Sequence, residues 1–229
     1  MFFVRFWGVR GSIPVPGPST VQIGGNTPCI EVRVGPEILI FDAGSGVRAL
    51  GQQLLSEMPV TARFFFSHFH WDHIQGFPFF APAFVKGNRF DLFGAHKLTS
   101  TLAEALVGQM SFPNFPVSLP EMAAKINFHN LAEGEAVACG AAVISNAKLN
   151  HPGGVFAYRV DFGGHTVVLA TDTEHYSCLD QKLVNLSEGA DVLIYDAMYT
   201  PEQYAGNATT AARTGWGHST WEWGVKIAM

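Results

Sequence analysis

The chain has 229 residues, of which 48% are hydrophobic and 14% charged, with a net charge of −5. That length suits one large domain with a sizeable core, and the charged fraction lies well below the roughly 25% usual in soluble domains. The acidic balance argues against a broad electrostatic grip on nucleic acid, while a small anionic substrate drawn to bound cations stays compatible with it.

The start, Met1-Phe2-Phe3-Val4-Arg5-Phe6-Trp7, lacks the basic and small-residue signals of a secretory leader. No apolar run approaches the length of a membrane span, so no membrane partner is expected. Cys29, Cys139 and Cys178 are odd in number and lack zinc-knuckle spacing. They read as reduced thiols of a cytoplasmic protein.

Phe2 to Val9 alternates as a first strand, and Arg10 to Gly25 is a glycine- and proline-rich loop. Cys29 to Val34 and Glu37 to Phe41 are predicted strands around a Gly35-Pro36 turn. The second ends at Asp42-Ala43-Gly44-Ser45-Gly46. Val47, Leu50, Leu54, Leu55 and Met58 carry helical spacing. Thr61 to Phe66 is a buried strand that runs into Ser67-His68-Phe69-His70-Trp71-Asp72-His73.

This stretch is the chemical centre of the sequence. Three histidines and one aspartate fall within six positions at the end of a strand. Extended backbone would put His68, His70 and Asp72 on one face. A turn near Trp71 would instead let Asp72 and His73 reach a second point, so that one strand end could serve two metal ions. Imidazole and carboxylate suit zinc, iron or manganese. A surface histidine cluster without function is the bland alternative, but such residues need partners after a buried strand.

Further on, Phe90 to Phe93 is a candidate strand. Thr99 to Gln109 is a helix with Thr99 or Ser100 as N-cap. Met110 to Val117 is an aromatic loop that could wall a pocket or pack locally. Phe77, Phe79, Phe112 and Phe115 could stack on a base or be core. Strands are predicted over Lys125–Asn130, Ala136–Cys139 and Ala142–Leu149. Val155–Phe162 and His165–Ala170 form a hairpin. Leu179 to Leu186 is helical, Asp191 to Asp196 a last strand, and Gly217-His218-Ser219-Thr220 opens a final helix with Ser219 as N-cap. Strand ends or helix starts thus repeatedly carry ligand-type residues: Asp42, His68 to His73, His151, Asp172 and His218. His96, His129 and His165 are isolated and read as surface residues, whereas His175 could line a pocket or sit in a solvated turn. Two sheets face to face with helices outside would fit this order.

The His-x-His-x-Asp-His motif, with His151, Asp172 and Gly217-His218-Ser219-Thr220, resembles the metallo-β-lactamase-fold hydrolases. Within them it is similar to the branch of the tRNA 3′-end-processing endonucleases and the cyclic phosphodiesterases. The resemblance covers almost the whole chain and implies one domain over residues 1–229. Its fold is an αββα sandwich, of the α/β (α+β) class, with two facing mixed β-sheets and helices outside. It implies two divalent ions (zinc, manganese or iron). His68, His70 and His151 would bind the first, Asp72 and His73 the second, and Asp172 would bridge them. Asp42 would orient ligands. Asp72 could also orient the attacking water, and His218 would protonate the leaving group. Gly24-Gly25-Asn26-Thr27 resembles a loop near the site in relatives, and its glycines also fit a plain turn.

Relatives usually continue past the last helix into a strand bearing one more metal-binding histidine. These 229 residues lack it, which leaves His218 or His175 to complete the second site, or a histidine of a partner chain; a homodimer is compatible. The implied activity is hydrolysis of a small, cyclic-nucleotide-type phosphodiester, with long nucleic acid disfavoured. Lactone, thioester or β-lactam hydrolysis on the same scaffold, or metal binding without turnover, are the alternatives.

Overall fold

The computed structural model describes residues 1–95 and 101–229. The chain divides into two compact units, Met1–Leu131 and Ala132–Met229.

The first unit is a six-stranded sheet in the order β1 (Phe2–Gly8), β2 (Cys29–Val34), β3 (Glu37–Phe41), β4 (Thr61–Phe66), β5 (Arg89–Ala95), β6 (Lys125–Leu131). The first three strands pair antiparallel, and β3 through β6 run parallel. Parallel strands covered by helices become continuous apolar runs, as Phe64-Phe65-Phe66 does. On one face Phe64 meets the rings of Phe77, Phe80 and Phe90 at 5.7, 5.2 and 6.1 Å. Helix α1 (Val47–Leu54) adds Val47, Leu50 and Leu54 to this core, and α3 (Leu102–Gln109) adds Leu102 and Leu106. Between them the short helix α2 (Trp71–Ile74) turns the chain directly after His70. Of the two courses open to the histidine motif, the turned one is adopted.

The second unit is a five-stranded sheet in the order β11 (Val192–Tyr195), β10 (His165–Ala170), β9 (Val155–Phe162), β8 (Ala142–Leu149), β7 (Val137–Cys139). Strands β7 to β10 form an antiparallel meander, and β11 joins β10 in parallel. Leu183 of α4 (Gln181–Ser187) and Ile227 of α6 (Trp221–Ala228) pack with Val155, Val168 and Ala170. A short helix, α5 (Pro201–Ala205), was not foreseen, although Thr200-Pro201-Glu202-Gln203 carries its signal. Thr200 and Gln203 form a capping box with proline in the first turn. Among the described residues, no helix is long and apolar enough to cross a membrane.

Several boundaries move for local reasons. Helix α1 stops at Leu54, because Leu55–Glu57 tightens into a 3₁₀ turn and Met58 is extended before Pro59. The N-cap of α3 is Thr101, in a reciprocal capping box with Glu104. The predicted caps Thr99 and Ser100 lie outside the described residues, as does His96. The N-cap of α6 is Thr220, not Ser219. The Ser219 hydroxyl is buried and donates to the Thr173 carbonyl at 2.5 Å instead. Of the four aromatics singled out, Phe77 is buried core, Phe115 packs against that core, and Phe79 and Phe112 are exposed.

Arg33 ties the first unit together at its rim, with two hydrogen bonds to Glu57 at 2.6 and 2.9 Å and one to Glu31 at 2.5 Å. The Arg33 hydrogen bond holds the Glu57 carboxyl below its ordinary 4.5. The unfolded chain therefore binds this proton first on acidification. The stabilisation is complete above pH 4.5 and is lost as pH falls through the lower folded value. Glu57→Gln is expected to lose about 0.5–1 kcal/mol at pH 7 by urea denaturation. Its difference from wild type should close in the acid range, and a pH-independent difference would contradict the ion-pair origin.

Candidate metal centre

In the first unit the site grows from two adjacent parallel strand ends. Asp42 follows β3 and Ser67 follows β4, and since these strands run parallel, both residues emerge at the same edge. Asp42 adopts a left-handed backbone, φ 59°, a conformation that aspartate tolerates better than most residues. Its buried carboxylate accepts from the Ser67 N–H at 2.8 Å, from the Ser67 hydroxyl at 2.9–3.0 Å, and from His73 Nδ1 at 2.9 Å. A carboxylate only accepts, so His73 carries its proton at Nδ1 and its lone pair at Nε2. The Ser67 hydroxyl, donating to Asp42, accepts from His68 Nδ1 at 3.0 Å, which gives His68 the same tautomer.

The turn that brings these groups together is backbone against backbone. Gly44 lies where a Cβ would sit 2.3 Å from the Asp72 carbonyl oxygen, and Gly76 where one would sit 2.0 Å from that of Gly44. The His68 ring centroid is 4.4 Å from that of His70 and 4.2 Å from that of His73. Asp72 Oδ2 lies 3.6 Å from His73 Nε2 and accepts the Ser12 N–H at 2.8 Å. His68, Asp72 and His73 are buried, and His70 is exposed.

The second unit repeats the device. Asp172 follows β10 and Asp196 follows the parallel strand β11. Asp172 is again left-handed, φ 53°. Asp196 accepts from the Thr173 N–H at 3.2 Å and from His218 Nδ1 at 2.8 Å. The Asp172 and Asp196 oxygens and a His218 ring nitrogen lie within 4.8 Å of one another, a set able to hold a cation. His151 Nδ1 donates to the Gly217 carbonyl at 2.7 Å, and its Nε2 lies 3.9 Å from Asp172. Burial pushes the Asp196 carboxyl up and His218 opposes the shift, while the neighbouring Asp172 carboxylate adds to it. Such a paired-carboxylate environment favours a cation.

The donor chemistry fits divalent metal. His68, His73 and His151 each commit Nδ1 to an outer oxygen and so present an Nε2 lone pair in the neutral ring. This is how metal-binding imidazoles are oriented by their surroundings. Asp72 in the first unit and Asp172 in the second each add a carboxylate, and nitrogen with oxygen donors suits zinc, manganese or iron.

Other histidines have other duties. His175 is buried, stacked on Trp223 at 4.6 Å, packed against the tilted ring of Tyr204 at 4.3 Å, and bonded to Ser219 at 3.1 Å. Burial lowers its pKa, and its ring serves packing. His129 is exposed, bonded to Asp91 at 3.2 Å and stacked on Phe93. His165 is exposed beside Asp191. Ser12, Ser67 and Asp196 were not foreseen. Asp196 had a signal, since it ends a predicted strand as Asp42 does.

Residues 38–229 match the family model described as Beta-lactamase superfamily domain. The chain belongs to this family. Ribonuclease Z of Pyrococcus horikoshii is 30% identical over 129 residues, which are 55% of this chain and 39% of the archaeal protein. The chain thus spans well under half the length of the curated relatives it matches. Among solved structures, the metallo-β-lactamase fold protein YhfI of Bacillus subtilis superposes with a TM-score of 0.70 at 20% identity, over 98% of this chain and 79% of that one. The short form of human tRNase Z gives 0.69 at 18% identity, over 98% and 87%. The metallo-β-lactamase fold is thereby shown.

In this member of the superfamily, Asp42→Asn keeps the shape but replaces one acceptor oxygen by a donor facing Ser67 or His73. It is expected to weaken zinc binding about 10- to 100-fold, read by calorimetric titration of metal-stripped protein. Unchanged affinity would remove the orienting role.

Proposed function

We propose that the chain is a metal-dependent phosphodiesterase with a dinuclear centre. His68, His70 and His151 hold one divalent ion, Asp72 and His73 the other, and Asp172 serves both. The observation that supports this most is the repeated outer bond at Nδ1, which gives the imidazoles of both units the metal-binding tautomer. Membership of the Beta-lactamase superfamily is in keeping with a divalent-metal site.

When bound, the two ions supply water activation and neutralise charge on the phosphoryl oxygens. The chain does the rest. Asp42 and Ser67 keep the imidazoles of His68 and His73 fixed, so that no reorganisation is needed as charge builds. Asp72, held by the Ser12 N–H, orients the attacking water. His218, fixed at Nδ1 by Asp196, acts as the doubly protonated imidazolium, which the Asp196 carboxylate favours, and delivers its Nε2 proton to the leaving alkoxide. The acidic chain favours a small phosphodiester such as a cyclic nucleotide, acted on in the cytoplasm. RNA is the second reading, favoured by the similarity to a protein named ribonuclease Z.

The test is hydrolysis of bis(p-nitrophenyl) phosphate by metal-stripped protein, with and without zinc or manganese. Metal-dependent turnover that His68→Ala abolishes is expected. Metal binding without turnover, or turnover only on lactone, thioester or β-lactam reporters, would contradict the phosphodiesterase. Cyclic nucleotides and a tRNA precursor then separate the two substrate readings. His218→Ala is expected to lower turnover about 100-fold or more while metal content persists. Loss of one ion per chain in that variant would make His218 a ligand instead.

A further inference from the structure

Glu174 is fully buried, two residues beyond Asp172 in the turn after β10, and neither the ligand set nor the proton transfer uses it. A buried carboxylate is costly unless its oxygens are satisfied. Here one oxygen accepts from the Tyr204 hydroxyl and the Gly215 N–H, both at 2.7 Å, and the other accepts from the Gly217 N–H at 2.7 Å. Its main chain is also engaged, with the Glu174 N–H donating to the carbonyl of Asn150 at 2.8 Å.

The partners of those bonds are what give the residue its meaning. Asn150 directly precedes His151. Gly217 directly precedes His218, and its carbonyl accepts from His151 Nδ1. Gly217 has φ +87°, and a Cβ there would sit 2.3 Å from His151 Nδ1, so this peptide is pressed against the imidazole it orients. One carboxylate therefore anchors the turn that both fixes the His151 tautomer and presents His218, from a position two residues after Asp172. Tyr204 is kept protonated, its pKa pushed up to about 12 by burial and by Glu174, so it remains a donor.

We propose that Glu174 is a positioning residue of the metal centre, setting His151 and His218 through the 215–217 turn. The inference rests on the metal-centre reading above. An amide at this position offers one acceptor oxygen to three donors. Even with its NH₂ turned toward the Tyr204 hydroxyl, which can accept, one glycine N–H is left facing a donor. Glu174→Gln should therefore loosen the turn, whereas Tyr204→Phe leaves both glycine bonds in place.

The experiment is calorimetric titration of metal-stripped wild type, Glu174→Gln and Tyr204→Phe with zinc alone. It is joined by hydrogen exchange of the Gly215 and Gly217 amides in wild type, with and without zinc. Glu174→Gln is expected to lose about 10- to 100-fold in zinc affinity, and Tyr204→Phe less than about threefold. Coupling is reciprocal, so zinc should slow exchange at Gly215 and Gly217 more than at the β9–β10 turn glycines Gly163 and Gly164. A folded Glu174→Gln protein with wild-type zinc affinity and a lowered Tm would make Glu174 a scaffold residue only and overturn the inference. If that variant does not fold, unchanged exchange at the two amides in wild type overturns it. Wild type that binds no zinc would instead fail the metal-centre reading itself, and the inference with it.

Discussion

A carboxylate buried at the end of a strand, with every oxygen engaged by the next strand end, is the interaction on which the site depends. Asp42 is 3% exposed and spends its oxygens on Ser67 and His73. It can do so because β3 and β4 are parallel and finish together, and because aspartate tolerates the left-handed turn that aims its side chain sideways. Strained backbone of this kind persists only where surrounding bonds overdetermine it. The Asp42 N–H, donating to the Phe65 carbonyl at 3.1 Å, and the Ala43 N–H, donating to the His73 carbonyl at 2.8 Å, supply that constraint.

The second unit solves the same problem with the same parts. Strand β11 lies parallel to β10, and Asp196 caps the neighbouring strand end at Thr173 as Asp42 caps Ser67. In each unit the aspartate that follows one strand of the parallel pair holds a histidine at Nδ1, His73 in the first and His218 in the second. The large aromatic core around Phe64 keeps the first pair of strand ends rigid, and the Val168 and Ala170 core does so for the second. Function is thus carried by loops, and precision by the strands that deliver them.

Much of this was legible in the residues. Arg63-Phe64-Phe65-Phe66 reads as a buried strand, and the His-x-His-x-Asp-His run after it is costly without partners. Strands β2, β3, β4, β8, β9 and β10 fall where alternation and turn glycines put them. What stayed hidden was whatever depends on distant segments. Ser219 looks like a helix cap because serine before Thr-Trp-Glu-Trp commonly is one, yet its hydroxyl is drawn to Thr173, 46 residues away. His175 could have lined a pocket or sat in a solvated turn; it does neither, because Tyr204 and Trp223 pack against it from elements whose packing no local pattern encodes. Ser12 acts through its main chain, which no side-chain pattern reveals.

The most direct measurement is the tautomeric state of the histidines in metal-free protein, read from long-range proton–nitrogen correlations of the imidazole rings. The neutral rings of His68, His73 and His151 should carry the proton on Nδ1 and the lone pair on Nε2. A majority of these rings carrying the proton on Nε2 would contradict the claim that the fold itself prepares the proposed metal ligands.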